Sequence, residues 1–307
     1  MPELPEVETV RRHLQRRVPG RVVRAVWTSG LALRKPLPRG FRAAFPGGRF
    51  TGVRRIAKFL YLDWESRDGR RGRSLLAHLG MTGYFLHRDR EPRRPPPHTH
   101  AVWSFADGSC LLFCDPRRFG LLEWVAREGR PANVGPDPTE FHLTGEWLRE
   151  RLRGSRAPVK SLLIDQRKLA GLGNIYACEA LFRAGISPRR VARALTAAEA
   201  ERLAAAIRTS IAAAVRMRGT TFSDFRDLDD RPGEYGTELQ VYGREGKPCR
   251  RCRTAVRRIV QAGRSSFFCP RCQRRGAAAE PAPRRRAPAP AAARRVTRPA
   301  TRPARLS

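Results

Sequence analysis

The sequence predicts an α+β chain: an antiparallel β-sandwich or barrel first, a helical domain second and a small metal-bound hairpin third. Short apolar runs separated by turn residues fill residues 21 to 130. Helical spacing with capping residues follows, and four cysteines close the ordered part in two Cys-x2-Cys pairs.

In chain order, residues 5 to 17 form a short helix. Pro5 suits the first helical position, Glu6 and Glu8 favour the positive end, and Val7, Val10 and Leu14 share a face. The β-like runs are RVVRAVW, FTGVRRIAKFLYLDW, SLLAHLGMTGYFL, HAVWSFADG, SCLLFCD and FGLLEWV. Pro46-Gly47-Gly48, Asp68-Gly69 and Asp107-Gly108 mark turns among them. The first domain therefore spans 1–130, and PANVGPDP, residues 131 to 138, reads as a linker.

The second domain spans 131–240. Thr144 caps a helix carrying Leu148 and Leu152, and GLGNIYACEALFRAG holds a glycine turn and a helix ended by Gly185. Thr196 and Glu199 make a capping box before Leu203, Ile207, Ile211 and Val215. Residues 220 to 240, rich in Asp and Gly, read as a mobile loop. The hairpin spans 241–274, and an Ala/Pro/Arg-rich tail over 275–307 is expected to be disordered.

Charge narrows the partners. Lys and Arg number 62 against 28 Asp and Glu, a formal +34. The tail from 276 onward holds eight Arg and one Glu, so +7 belongs to it and +27 to the rest. A basic folded body of this size points to nucleic acid. Hydrophobic residues make up 41% of the 307, enough for two cores. There is no apolar run long enough to span a membrane, and the acidic opening MPELPEVET is no secretory signal. An intracellular protein is expected.

Cys249-x2-Cys252 and Cys269-x2-Cys272, sixteen residues apart, have the spacing of a tetrahedral zinc site. One structural zinc is the expected cofactor. Cys110, Cys114 and Cys178 sit among apolar residues and read as buried thiols.

The first residues carry a chemical possibility. Proline after the initiator Met permits removal of that Met, exposing a secondary amine. Such an amine titrates near ~8 and can attack a sugar C1′ to give an iminium. Glu3 beside it is placed to donate a proton to the sugar. Met-Pro-Glu openings are common, and the surrounding motifs decide its meaning.

Those motifs are MPELPEVETVRR, AKFLYL, HLGMTG, DPRRFG, DQRKLAGLGNIYACEALF, ELQVYGREGKPC and CRRC…GRSSFFCPRC, in that order. Over about residues 1 to 274 the sequence resembles the bacterial formamidopyrimidine-DNA glycosylases. The resemblance implies an N-terminal β-sandwich, a helix–two-turn–helix domain and a zinc-finger hairpin. It also implies a bifunctional glycosylase/AP lyase of base excision repair, acting on 8-oxoguanine and formamidopyrimidines in duplex DNA. The expected partner is double-stranded DNA with oxidised purines or abasic sites, bound by a monomer in the bacterial cytoplasm.

Residue by residue, the resemblance makes Pro2 the Schiff-base nucleophile and Glu3 the acid of glycosidic cleavage. Glu6 matches a further acidic position, although it also suits a helix start. Lys58 matches the proton donor of β-elimination, where the residues alone suggest a solvated strand-end lysine. Arg264 matches the arginine of δ-elimination and phosphate binding.

Base access requires the nucleotide to be flipped out and the hole filled. Met81, Arg117 and Phe119 match the residues that do so; core packing is the alternative for Met81 and Phe119, while the alternation Arg117-Arg118-Phe119 suits an exposed loop. His98, Arg118, Lys160 and Asn174 match backbone contacts. His78 could join them or simply be a core histidine. The loop from about Thr220 to Tyr235 resembles the segment closing over the flipped base. His98-Thr99-His100 departs from the family pattern, which has an acidic residue between the histidines.

Two alternatives stand beside this. Endonuclease VIII shares Pro2, Glu3 and the zinc hairpin but prefers oxidised pyrimidines. A non-catalytic DNA-binding zinc protein would bind without chemistry.

Overall fold

The computed structural model describes residues 2–221 and 225–274. The tail expected to be disordered lies outside the described residues, as do 222–224 of the expected loop.

The chain runs α1 (Leu4–Arg17), β1 (Val23–Thr28), β2 (Arg49–Ile56), β3 (Phe59–Glu65), β4 (Arg71–His78), β5 (Tyr84–Arg88), β6 (Thr99–Phe105), β7 (Cys110–Cys114) and β8 (Leu121–Ala126). Then follow α2 (Gly145–Leu152), α3 (Val159–Leu163), α4 (Asn174–Ala184), α5 (Ala197–Arg216), β9 (Arg257–Gln261) and β10 (Arg264–Phe268). The fold is α+β, as the sequence predicts.

Strands β1 to β8 make two four-stranded sheets, ordered β1-β6-β7-β5 and β2-β3-β4-β8. All their pairings are antiparallel. Phe45, Phe50, Trp64, Phe85, Trp103 and Phe113 fill the sandwich core, joined by Val7, Val10 and Leu14 of α1. Each such side chain contributes on the order of 1.5–3 kcal/mol by leaving water. Leu4, at the start of α1, belongs instead to the helical core of Leu148, Tyr176, Leu203 and Ile207. The first turn of α1 is thereby wedged between two cores.

The run over residues 50–64 is not one strand. It folds into a β2–β3 hairpin with Ile56 opposite Phe59, turning at Ala57 and Lys58. Tight two-residue turns favour Gly or Asn because φ must be positive, and Ala57 takes φ 54 without either. Buried Asp137 holds it there, its Oδ2 accepting from Ala57 N at 2.8 Å and from Arg55. The segment read as a linker is therefore a clamp on this turn.

Local signals in the second half act as expected. Thr144 Oγ1 accepts from Trp147 N at 3.1 Å, and Thr196 and Glu199 complete a capping box. Gly185 ends α4 with φ 72, the left-handed conformation glycine adopts without strain. The β9–β10 hairpin turns at Ala262 and Gly263, both at positive φ. Among the described residues no helix is long and apolar enough to cross a membrane.

Candidate active site

Pro2 is buried immediately before α1. Glu3, 2% exposed, forms a capping box with Glu6 at the start of its own helix. Its carboxylate also caps α4: Gly173 N and Tyr176 N donate to Oε2 at 2.9 and 3.3 Å, and Ile175 N to Oε1 at 2.9 Å. Exposed helix N–H groups and the positive helix end favour an anion here. Burial opposes them and lifts the Glu3 carboxyl above the usual carboxylate range, despite the charge of Lys58. A carboxyl that holds its proton more tightly than usual can give it up at a reacting centre.

Glu6, one turn along, is 1% exposed. Its Oε2 accepts from Glu3 N at 2.8 Å, which is the helix-start role. Its Oε1 accepts from Tyr176 Oη at 2.5 Å and Thr220 N at 2.7 Å. Burial, then the charge of Glu3, pushes its carboxyl up to about 7. Gly219, with φ +80, makes room for it, since a Cβ there would stand 2.8 Å from Oε1.

Lys58 is buried at 7% exposure, not solvated, and its Nζ donates to Leu172 O at 3.3 Å. Burial draws its ammonium below the usual lysine range, against the charges of Glu3 and Glu6. Lys160, fully buried, and Asn174, half-buried, both donate to Ser265 O, at 3.0 and 2.9 Å. That carbonyl follows Arg264, which is exposed at the hairpin tip. Glu3, Glu6, Lys58, Lys160, Asn174 and Arg264 thus converge on the junction of sandwich, helices and hairpin.

The hairpin is fixed by its cysteines. Cys249 Sγ lies 3.9 Å from Cys272 Sγ, and Cys252 Sγ 3.4 Å from Cys269 Sγ. One sulfur from each of the four falls within 4.8 Å of the others. Arg251 N and Cys272 N each direct an N–H at a cysteine sulfur at 3.4 Å. Four such thiolates fit one structural zinc and leave no open position.

A second group sits on the sandwich loops. Met81 and Phe119 are 39% and 42% exposed, so neither is a core residue. Arg117 stacks over the Phe119 ring with its guanidinium carbon 4.6 Å from the centroid. His98 and Arg118 are exposed at φ 64 and 57. Buried Asp115 ties these loops together: Thr82 Oγ1 donates to its Oδ1 at 2.6 Å, Gly120 N to its Oδ2 at 2.7 Å, and its own N to His98 O at 2.9 Å. Gly80 lets the loops touch, since a Cβ there would lie 2.5 Å from the Phe119 carbonyl carbon. Partly buried His78 joins the two groups. Its Nδ1 accepts from Gly80 N at 3.0 Å, and burial, then the charges of Arg34 and Lys58, pull it down to about 4.

Asp115, Asp137, Tyr176 and Thr220 were not singled out by sequence reasoning. Asp115 opens the DPRRFG motif and Tyr176 lies in GLGNIYACEALF, so both had a signal; Asp137 and Thr220 had none beyond lying in segments read as loops. Cys110, Cys114 and Cys178 are buried, as expected.

Comparison with known proteins agrees with this architecture. Residues 1–122 match the formamidopyrimidine-DNA glycosylase N-terminal domain, 134–226 the formamidopyrimidine-DNA glycosylase H2TH domain, and 246–275 the zinc finger found in FPG and IleRS. The formamidopyrimidine-DNA glycosylase of Cereibacter sphaeroides is 42% identical, covering 89% of this chain and all of its own. The crystal structure of the MutM (Fpg) protein from Thermus thermophilus is 44% identical with a TM-score of 0.77, covering 90% of this chain and 100% of that one. Lactococcus lactis Fpg, solved with abasic-site DNA and, as a variant, with Fapy-dG DNA, is 32% identical with a TM-score of 0.79, covering 89% of this chain and 100% of that one. With sandwich, helical unit and four-cysteine hairpin all matched in order, the chain belongs to the formamidopyrimidine-DNA glycosylase family.

Proposed function

We propose that the protein is a bifunctional DNA glycosylase/AP lyase of base excision repair, acting as a monomer in the bacterial cytoplasm on oxidised purines in duplex DNA. The observation that carries this reading is the buried Glu3 carboxyl, held against the α4 N-terminus with its proton affinity raised, directly after Pro2. Relatives solved with Fapy-dG and abasic-site DNA support the substrate class.

In this reading the amine of Pro2, freed by removal of Met1, attacks C1′ and the base leaves with the glycosidic electron pair. Glu3 protonates the sugar ring oxygen, and the ring opens to an iminium. Loss of a C2′ proton to water then expels the 3′ phosphate, whose leaving oxygen takes a proton from Lys58. Its buried ammonium, drawn below the usual lysine range, gives up a proton more readily than a solvated one. A second elimination expels the 5′ phosphate beside Arg264. Zinc, when bound to Cys249, Cys252, Cys269 and Cys272, supplies rigidity to the hairpin that carries Arg264.

Met81, Arg117 and Phe119 fill the space left by the flipped base, and half-exposed apolar side chains on tight turns suit that role. Arg117, whose planar guanidinium is held by stacking on Phe119, reads the estranged base. His98, Arg118, Lys160 and Asn174 lie along the phosphates. The loop from about Thr220 to Tyr235 closes over the base. Its root already touches the site, where Thr220 N donates to Glu6.

Release of base from duplexes carrying 8-oxoguanine or an oxidised pyrimidine, each opposite cytosine or adenine, tests the reading. Preference for the purine opposite cytosine supports it, and preference for the pyrimidine overturns it in favour of endonuclease VIII chemistry.

A further inference from the structure

Three side chains given no part in the chemical steps meet where α1 passes the segment after α5, two of them on the loop proposed to close over the base. His13 lies on α1, and Asp227 and Asp229 lie in residues 225–231. That segment is anchored to the sandwich: Phe225 and Leu228 enter its core, and Leu228 O accepts from His87 N at 3.3 Å.

Asp227 is 1% exposed. Its Oδ1 accepts from Asp229 N and Arg231 N, both at 2.9 Å, which fixes the carboxylate in place. Its Oδ2 is buried without a hydrogen-bond partner, and so is His13 Nδ1. The two face each other 3.9 Å apart, beyond hydrogen-bonding reach. Two buried polar atoms left unpaired toward one another carry a desolvation penalty that an ion between them would remove. A zinc ion bonds His N and carboxylate O at about 2.0–2.2 Å, so two such bonds span a gap of this size. Asp229 supplies a third donor, with one atom of each residue within 4.8 Å of the others.

We propose that His13, Asp227 and Asp229 form a second divalent-cation site, separate from the four cysteines and with a position left open to water. An imidazole with two carboxylates suits zinc or a similar borderline ion over calcium or magnesium, which prefer oxygen alone. The ion ties segment 225–231 to the helix whose first turn carries Glu3 and Glu6. Two cations oppose it. Arg17 Nη2 holds Asp229 Oδ1 at 2.7 Å, and the charge of Arg16 also acts on His13. Arg17 therefore competes with the ion for Asp229.

The test is calorimetric titration of zinc ions into the full chain already holding one zinc per molecule. One further equivalent is expected to bind. Asp227→Asn and His13→Gln should each weaken it at least tenfold, and Arg17→Gln should tighten it severalfold. Retention of the first zinc and an unchanged melting temperature certify each variant as folded. His13→Gln, at a partly exposed position, keeps the test decisive if Asp227→Asn does not fold. No second equivalent, or one insensitive to these substitutions in folded variants, overturns the site.

Discussion

Glu3 and Gly173 fit so closely that any side chain at 173 must displace the Glu3 carboxyl: a Cβ built there would lie 2.2 Å from the Glu3 carboxyl carbon. The second residue of the expected mature chain is thereby locked against the first N–H groups of α4. Gly171 does the same for Leu4, where a Cβ would meet Leu4 Cδ1 at 2.5 Å. The glycines of GLGN thus set where the chain's first residues lie.

Gly173→Ala is expected to displace Glu3, with a stability loss of about 1–3 kcal/mol from overpacking and base excision slowed at least a hundredfold. Gly72→Ala is the control, because nothing lies within 4 Å of a Cβ there. Thermal unfolding and single-turnover excision measure both. Equal behaviour of the two variants would contradict the fit.

Glu3→Gln removes the proton that the proposed mechanism spends on the sugar while leaving Pro2 in place. Excision of 8-oxoguanine should fall by roughly 10²–10⁴, the usual worth of a positioned acid. Strand cutting at a preformed abasic site should persist. Parallel loss of both activities would show that Glu3 only holds the structure together.

Glu6 makes stability depend on pH. Its carboxyl is raised by burial, and then by Glu3, from an ordinary 4.5 to about 7 in the folded chain. The folded state therefore holds the proton over this range more tightly than the unfolded state. The associated stability is fully present below about pH 4.5 and is lost as pH rises through about 7. The loss is on the order of 3 kcal/mol at 1.36 kcal/mol per unit. Glu6→Gln should flatten this limb, since its side-chain oxygen can still accept from Tyr176 and Thr220. Denaturant midpoints between pH 5 and 8 decide it, and identical slopes for both proteins would refute the assignment.

What the sequence disclosed here follows from distance along the chain. The zinc cysteines, the Thr144 and Thr196 caps and the Gly185 stop are each recognisable from residues a few positions apart, and all appear as read. The burial of Lys58 was not legible, because Ala57 lacks the usual turn signal and is held by Asp137, 80 positions away. The same is true of Glu6, whose partners Tyr176 and Thr220 are 170 and 214 positions distant. The roles proposed for Pro2, Lys58 and Arg264 came from resemblance, since no local spacing marks them. Exposure of Phe119 agrees with the Arg117-Arg118-Phe119 alternation, whereas that of Met81 was decided by the fold, as it could have entered the core.

Asp115 should control the loops around Met81 and Phe119. Asp115→Ala leaves Thr82 Oγ1 and Gly120 N without their acceptor, a loss of about 1.5–3 kcal/mol for each bond to a charged group. Affinity for a lesion duplex is expected to fall at least tenfold, while the zinc content stays unchanged. Urea unfolding and gel-shift titration report the two effects. Full affinity in a destabilised variant would show that these loops do not engage DNA.

The central claim is that the amine of Pro2 forms the covalent bond to the sugar. Borohydride reduction during reaction with a duplex carrying 8-oxoguanine opposite cytosine, followed by peptide mapping, tests it most directly. One cross-link is expected, on an N-terminal Pro2 lacking Met1. A cross-link on Lys58, or tight binding with no cross-link at all, would contradict it.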